Sequence, residues 1–496
     1  MLFSTTEFLF LFLPLTVAGF ALVAGTVSLR AGTLWLTAAS LFFYGYWDVS
    51  LLPLIVLSIV ANFAFGKILF STRSRTYLVA GLCFNLGLLG YFKYAGFFVE
   101  NLEKLLGREI AELNIVLPLA ISFFTFQQVA YLVDVYKRRA VEPDFLNYCL
   151  FVSFFPQLIS GPIVHHSEMM PQFRDAARHW LSRKLVPVAL AFIVIGLYKK
   201  VVLANGISPV ADGVFLGAQT AIPGFWDAWI GALAYTFQIY FDFSGYTDMA
   251  VGIALLFGIR LPMNFNSPYK ATSIIDFWRR WHMTLSRFIR DYIYIPLGGG
   301  RKGKSRRYVN LMLAMLIGGL WHGAGWTFVI WGGLHGIYLI VNHGWRRYGP
   351  ACAHGSRISK WCGRIVTFLA VVVAWVFFRA EDADDAMRIL AGMSGLADGA
   401  PVFASGQVLA MLLAMLFIVW FTPNSCQMFR TVQPVIVPDR DVDSLSPVVP
   451  AEGWFASVLR LKSYALTPVL VVLGTVSLLI VIDRGGQTQK FIYMIF

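Results

Sequence analysis

The sequence predicts an all-α polytopic membrane protein, and three observations lead there. Of the 496 residues, 58% are hydrophobic and 14% charged, against about 45–50% and about 25% in an average soluble domain. The excess is gathered into runs without a single charge, LFLFLPLTVAGFALVAGTVSL (9–29), VLAMLLAMLFIVWF (408–421) and LTPVLVVLGTVSLLIVI (466–482). A helix needs roughly 20 apolar residues to cross about 30 Å of hydrocarbon. Finally, the connecting segments alternate between basic and non-basic, as cytoplasmic and external loops do.

The opening MLFSTTEFLF has no Lys or Arg before its apolar run. A secretory signal peptide wants a basic start and a small-residue cleavage site, so the first segment reads as a retained helix. Candidate spans follow near 6–29, 33–49, 51–69, 76–95 and 115–136. Lys67, Arg73 and Arg75 follow the third span and Lys137, Arg138 and Arg139 the fifth, whereas the N-terminal tail carries no basic residue. The positive-inside rule then places the N-terminus outside and 137–139 in the cytoplasm. Residues 146–166 are apolar but broken by Pro156 and Gly161-Pro162, which suits a re-entrant hairpin buried within protein.

Ordinary spans are expected at 186–204 and 225–241, with a shorter segment at 245–259. The stretch 260–307 holds eleven Lys and Arg against Asp276 and Asp291, so it belongs in the cytoplasm. A strict zigzag through 245–259 would place it outside, which makes that segment re-entrant or less than a full span. Further spans are expected near 308–325, 326–343, 363–379, 404–421 and 466–483. The count is eleven to thirteen membrane segments in one domain over 1–496, with a polar loop at 424–463 and a tail at 484–496. No internal repeat is found.

Net charge is +13, from 40 Lys+Arg against 27 Asp+Glu. In a membrane chain such an excess reflects loops facing anionic lipid. The aromatic residues lie inside apolar runs rather than among the basic residues, which argues against nucleic acid as a partner. The five cysteines have no CxxC spacing, and no three histidines and acids have metal-ligand spacing close in sequence. No metal is expected.

Three stretches could carry chemistry. In DFWRRWHMTLSRFIRD (276–291), a helix read over 276–293 puts Arg279, His282, Ser286 and Arg290 on one face. Such a helix either lies on anionic lipid or offers arginines to a phosphate-bearing ligand. The following GGGRKGKSRR lacks the spacing of a phosphate loop and reads as a solvated loop. In GGLWHGAGWTFVIWGGLHG (318–336), His322 and His335 stand among apolar residues. Ionisable groups inside a bilayer are costly and point to function. A desolvated imidazole stays neutral and able to take a proton, as a general base must. His322 is therefore either a satisfied buried imidazole or a base, and the surrounding glycines permit close helix approach. In YFDFSGYTDMAVG (240–252), Asp242 and Asp248 read as buried acids paired with arginines to hold helices together.

Three strings, FWRRWHMTLSRFIRDYIYIPLGG, QIYFDFSGYTDMAVGIALLFGI and GGLWHGAGWTFVIWGGLHG, closely resemble the membrane-bound O-acyltransferase superfamily, in its bacterial branch of alginate O-acetylation membrane proteins. FVSFFPQLISGPIVH, GYFKYAGFF and the opening MLFSTTEFLFLFLPL resemble the same branch, so the likeness runs from residue 1 to about 380. The resemblance implies a bundle of about eleven transmembrane helices with re-entrant segments. It implies transfer of an acetyl group from a cytoplasmic thioester, acetyl-CoA, across the bacterial inner membrane toward an exported polysaccharide such as alginate. The family's near-invariant histidine matches His322, and a second position, variably His, Asn or Asp, matches His282. His322 would act as base, and His282 would orient the donor or hydrogen-bond the thioester oxygen. Arg279, Arg280 or Arg290 would meet the donor's phosphates, and His335 is given a structural role. An extracytoplasmic SGNH-hydrolase-like partner would complete delivery, directly or indirectly, to the glycan. The tail QKFIYMIF resembles FIYF-like ends of this branch, with Met494 at the second Phe. It suggests either an acyl relay on Tyr493 or an interfacial anchor. Competing readings are O-acetylation of peptidoglycan or cellulose, D-alanyl transfer, and a proton-coupled transporter. Against the transporter stands the absence of repeated halves.

Overall fold

The computed structural model describes residues 1–108, 110, 113, 115–138, 144–179, 184–301, 303–348, 356–397, 399–437, 467–483 and 491–492. Among them no strand forms, and Pro262 and Ile436 make one isolated bridge. Five described helices are long and apolar enough to cross a membrane: Phe8–Thr26, Val49–Thr72, Arg75–Leu106, Val186–Gly217 and Arg357–Arg379. Gly406–Phe421 and Pro468–Asp483 are shorter apolar helices. The chain is a multi-pass all-α membrane protein.

It divides into two compact units, the first comprising Met1–Tyr198, Gly245–Met263 and Ser425–Ile495. Its early helices lie where the apolar runs predict them. Ser28 caps Leu29–Gly45 by accepting from Ala31 N. Asn62 and Asn85 exchange amide hydrogen bonds of 3.1 and 2.6 Å between neighbouring helices, interhelical polar contacts of the kind that hold membrane bundles together. The predicted break in 146–166 is present. Phe145–Ser153 ends at Phe154, Phe155–Leu158 makes a single turn, and a new helix begins only at His166. Phe154, Phe155, Leu158, Ile159, Ile163 and Val164 are all buried, so this irregular backbone is shielded by protein, as non-helical chain at membrane depth must be.

One expectation is corrected. Residues 225–241 and 245–259 are not two segments: Phe225–Leu256 is a single helix of 32 residues, about 48 Å long at 1.5 Å per residue. The intervening residues 242–244 do not break it because the helix is packed there. A Cβ on Gly196 would lie 2.5 Å from Gly245 O, and one on Gly252 would lie 2.5 Å from Ala189 O. Backbones this close leave no room for the chain to turn away.

The second unit comprises Lys199–Ser244 and Asn264–Asn424. Asp227 accepts hydrogen bonds from Val402 N and Phe403 N, each at 2.9 Å, tying the start of the long helix to the residues before Gly406–Phe421. Asp242 is buried, as predicted, but its ion partner is Lys200 rather than an arginine. The sequence places YKK at the end of an apolar run, and the helix Val186–Gly217 carries Lys200 inward. Lys304–His322 and Trp326–Tyr348 form a tight hairpin. A Cβ on Gly319 would lie 2.2 Å from Phe328 O, and one on Gly332 would lie 2.4 Å from Met315 O. Only glycine fits at either position.

Replacing Gly332 by Val should lower thermal stability by about 1–3 kcal/mol and reduce the yield of folded protein. Gly333→Ala, whose Cβ would meet nothing closer than 3.8 Å, should leave both unchanged. Asp242→Asn should cost about 3–5 kcal/mol by stripping Lys200 of its carboxylate, while Lys200→Met with Asp242→Leu should recover most of it. Thermal unfolding in detergent reads all four variants.

Candidate active site

His322 is the last residue of the helix Lys304–His322, and the chain leaves it extended at Gly323. The glycine-mediated hairpin therefore ends where His322 begins to point away from the helix ladder. Its ring is buried, 3% exposed, and lies edge-on to Trp321, Trp331 and Phe378 with centroids 4.9, 5.0 and 5.0 Å away. Trp331 packs on His335 as well, at 4.8 Å. His335 Nδ1 accepts a hydrogen bond from Trp278 Nε1 at 3.2 Å, so neutral His335 carries its proton on Nε2. Among the described residues, neither His335 Nε2 nor Trp331 Nε1 makes a hydrogen bond.

His282 departs most from the sequence reading. A continuous helix over 276–293 is not formed. Ile274–Trp278 ends, His282 adopts the left-handed conformation (φ 41°, ψ 55°), and Met283–Ile289 starts anew. The cause is tertiary. Asn266 N donates to Arg280 O and Met283 N to Asn264 O, both at 2.9 Å, so the extended segment after Met263 captures the backbone on either side of His282. That segment is itself held by Asn424, which donates to Asn266 Oδ1 and Ser267 Oγ at 3.1 and 3.0 Å. A non-glycine residue in this region carries strain of about 1–3 kcal/mol and marks a place where the surroundings dictate the conformation.

The four residues expected on one face are thereby separated. His282 is completely buried, its Nδ1 lies 3.0 Å from Asn264 Oδ1, and its ring packs on Phe243 at 4.8 Å and Trp321 at 6.1 Å. Arg279 is exposed, and Arg290 is exposed and paired with Asp291 at 2.7 Å. Arg280 is half-buried, with Nε on Asp276 at 2.8 Å and Nη1 on Asn266 O at 3.2 Å, so its guanidinium holds the turn. His322 and His282 both lie against Trp321, with ring centroids 4.9 and 6.1 Å from it. The three arginines do not join them. Tyr493, Lys302, the polar loop from 438 onward and most of the tail lie outside the described residues. Sequence reasoning missed Asn264 and Lys200. Nothing local in PMNFNSP marks the first, while a lysine ending an apolar run is a signal for the second.

Chemically, the site offers two buried imidazoles walled by aromatic rings, with no group of three His, Cys, Asp or Glu among the described residues placed to hold a metal. Complete burial pushes the His282 imidazole, which lies between helices and outside the spans, down from 6.5 to about 3. A neutral imidazole in a dry, low-dielectric setting suits proton removal from a hydroxyl.

A profile of the MBOAT, membrane-bound O-acyltransferase family, matches residues 68–379. The chain is 47% identical over 431 residues to the peptidoglycan O-acetyltransferase of Helicobacter pylori, covering 80% of each protein. It is 41% identical over 408 residues to the probable alginate O-acetylase AlgI of Azotobacter vinelandii, covering 80% of this chain and 79% of that one. Similarity to the teichoic acid D-alanyltransferase of Streptococcus thermophilus is 26% over 285 residues, covering 52% of this chain and 68% of that protein.

The depressed basicity of His282 has a pH signature. The unfolded chain binds a proton at His282 below about pH 6.5 and the folded one only near 3. Stability from this group is therefore complete above about 6.5 and lost as pH falls toward 3, by about 1.4 kcal/mol per unit. Thermal unfolding between pH 7.5 and 5 should show a slope of at least this size, and His282→Asn should reduce it by the share of this one group.

Proposed function

The chain belongs to the membrane-bound O-acyltransferase family, and on that premise we propose that it passes an acetyl group from acetyl-CoA at the cytoplasmic face to an exported polysaccharide. O-acyl transfer itself comes with the family and with relatives named as O-acetyltransferases across four fifths of the chain. Acetyl in place of D-alanyl is supported by the contrast between 47% and 26% identity. Peptidoglycan and alginate are the acceptors in the relatives' names, and both are glycans outside the cytoplasm. The inner membrane is the corresponding location.

The observation that carries the mechanism is the burial of His322 and His282 against the common ring of Trp321. An acceptor hydroxyl gives its proton to His322 as its oxygen bonds to the thioester carbon. The carbon–sulfur bond then breaks, and the thiolate of coenzyme A recovers that proton. His282 positions the reacting groups, and the aromatic walls keep water from hydrolysing the thioester. Exposed Arg279 is the arginine offered to the donor's phosphates, since Arg280 is engaged in the fold and Arg290 is paired with Asp291. Counting Phe225–Leu256 as one span returns the basic stretch 260–307 to the cytoplasmic side under a strict zigzag from an external N-terminus. That supports donor entry there. An extracytoplasmic SGNH-hydrolase-like partner would complete delivery, as the sequence resemblance implies.

Purified protein in detergent, given isotope-labelled acetyl-CoA, should consume the thioester or acetylate itself. His322→Ala, at equal protein level and fold, should lose at least about 100-fold. Peptide mapping of any retained label tests the Tyr493 relay. Equal turnover by the variant would remove His322 from the mechanism. Absence of both donor binding and turnover would return the transporter reading.

A further inference from the structure

The hydrogen bonds around Asn264 determine which nitrogen of His282 carries the proton. Asn264 sits in the extended segment leading to Ile274–Trp278. Its backbone carbonyl accepts from Met283 N at 2.9 Å. Its side-chain Oδ1 faces His282 Nδ1 at 3.0 Å, Thr284 Oγ1 at 2.9 Å and Thr284 N at 3.4 Å. A backbone N–H can only donate, so the amide atom facing Thr284 N is the oxygen and not the nitrogen. An amide oxygen can only accept, so His282 Nδ1 must bear a hydrogen. In the neutral ring that leaves Nε2 with a free lone pair. The left-handed turn at His282, which the backbone bonds of Asn264 and Asn266 impose, brings Nδ1 to this oxygen.

We propose that Asn264 is a positioning residue that fixes His282 as the Nδ1–H tautomer, so that Nε2 accepts a hydrogen bond from a substrate N–H or O–H. This rests on the acetyl-transfer reading for the identity of the substrate, though not for the tautomer. It replaces one expected role. A neutral His282 held in this way cannot donate to the thioester oxygen. It can instead receive the amide N–H of the donor's pantetheine arm or the hydroxyl of the acceptor.

Several charged groups on the neighbouring elements are held by partners other than His282. Burial alone lowers the basicity of His282. On the elements packed around it, Arg280 is held by Asp276 and Asp242 by Lys200. Asp227 holds the backbone of Val402 and Phe403, and Asp248 accepts from Ser425. Arg279 is exposed, Arg287 is half-buried, and His322 adjoins the same tryptophan.

The test uses full-length protein labelled with 15N-histidine in detergent, the His282 signals being identified by their loss in His282→Asn. The wild type should show protonated Nδ1 and bare Nε2. Asn264→Leu should mix the tautomers and lower kcat by about 10–100-fold with KM for acetyl-CoA within about twofold. Asn264→Asp still accepts from Nδ1, so it should keep the tautomer and retain more activity. Its carboxylate favours the imidazolium, so the acid limb of its pH–rate profile should move to higher pH. A wild-type His282 protonated on Nε2 would overturn the proposal, as would Asn264→Leu with unchanged tautomer and kcat. The nitrogen measurement needs no substrate. Failure of the wild type to turn over acetyl-CoA would therefore count against the acetyl-transfer reading alone.

Discussion

Contact between the backbones of two helices is the constraint on which the site depends. Gly319 and Gly332 let Lys304–His322 and Trp326–Tyr348 approach until carbonyl oxygens occupy the space where side chains would otherwise stand. Helices in a bilayer gain little from excluding lipid, so they associate through packing and polar contact. That close packing sets the depth at which the first helix ends. His322 is its last residue, so the imidazole inherits its place from the glycines. Trp331 then fills the room beside it and carries the packing on to His335.

The polar groups drawn into the second unit are mostly held in specific partnerships: Lys200 with Asp242, Asp227 with two backbone amides, and His335 with the indole of Trp278. Each substitutes fixed dipoles for water. An acyltransferase gains from this arrangement, because groups already oriented need not reorganise during the reaction.

Much of this was legible in the residues. Uncharged runs located the helices, Pro156 and Gly161-Pro162 foretold the buried break, and the glycines around His322 foretold close approach. What could not be read had non-local causes. The helix pattern of 276–293 is sound over its own length, but it loses to hydrogen bonds from Asn264 and Asn266 in the preceding segment. Two segments are expected at 225–241 and 245–259, yet tight packing at Gly196 and Gly252 keeps the helix whole. The importance of Asn264 is written only in three dimensions, since its side chain acts on a residue 18 positions away.

The left-handed backbone of His282 bears on how this position can vary among relatives. Outside glycine, side chains that enter that region most readily are asparagine, aspartate and histidine. Conformation therefore acts as a filter ahead of chemistry: a lineage exploring replacements here finds valine or leucine barred by the main chain, and is left with a short menu of polar groups, each able to bond with a neighbour.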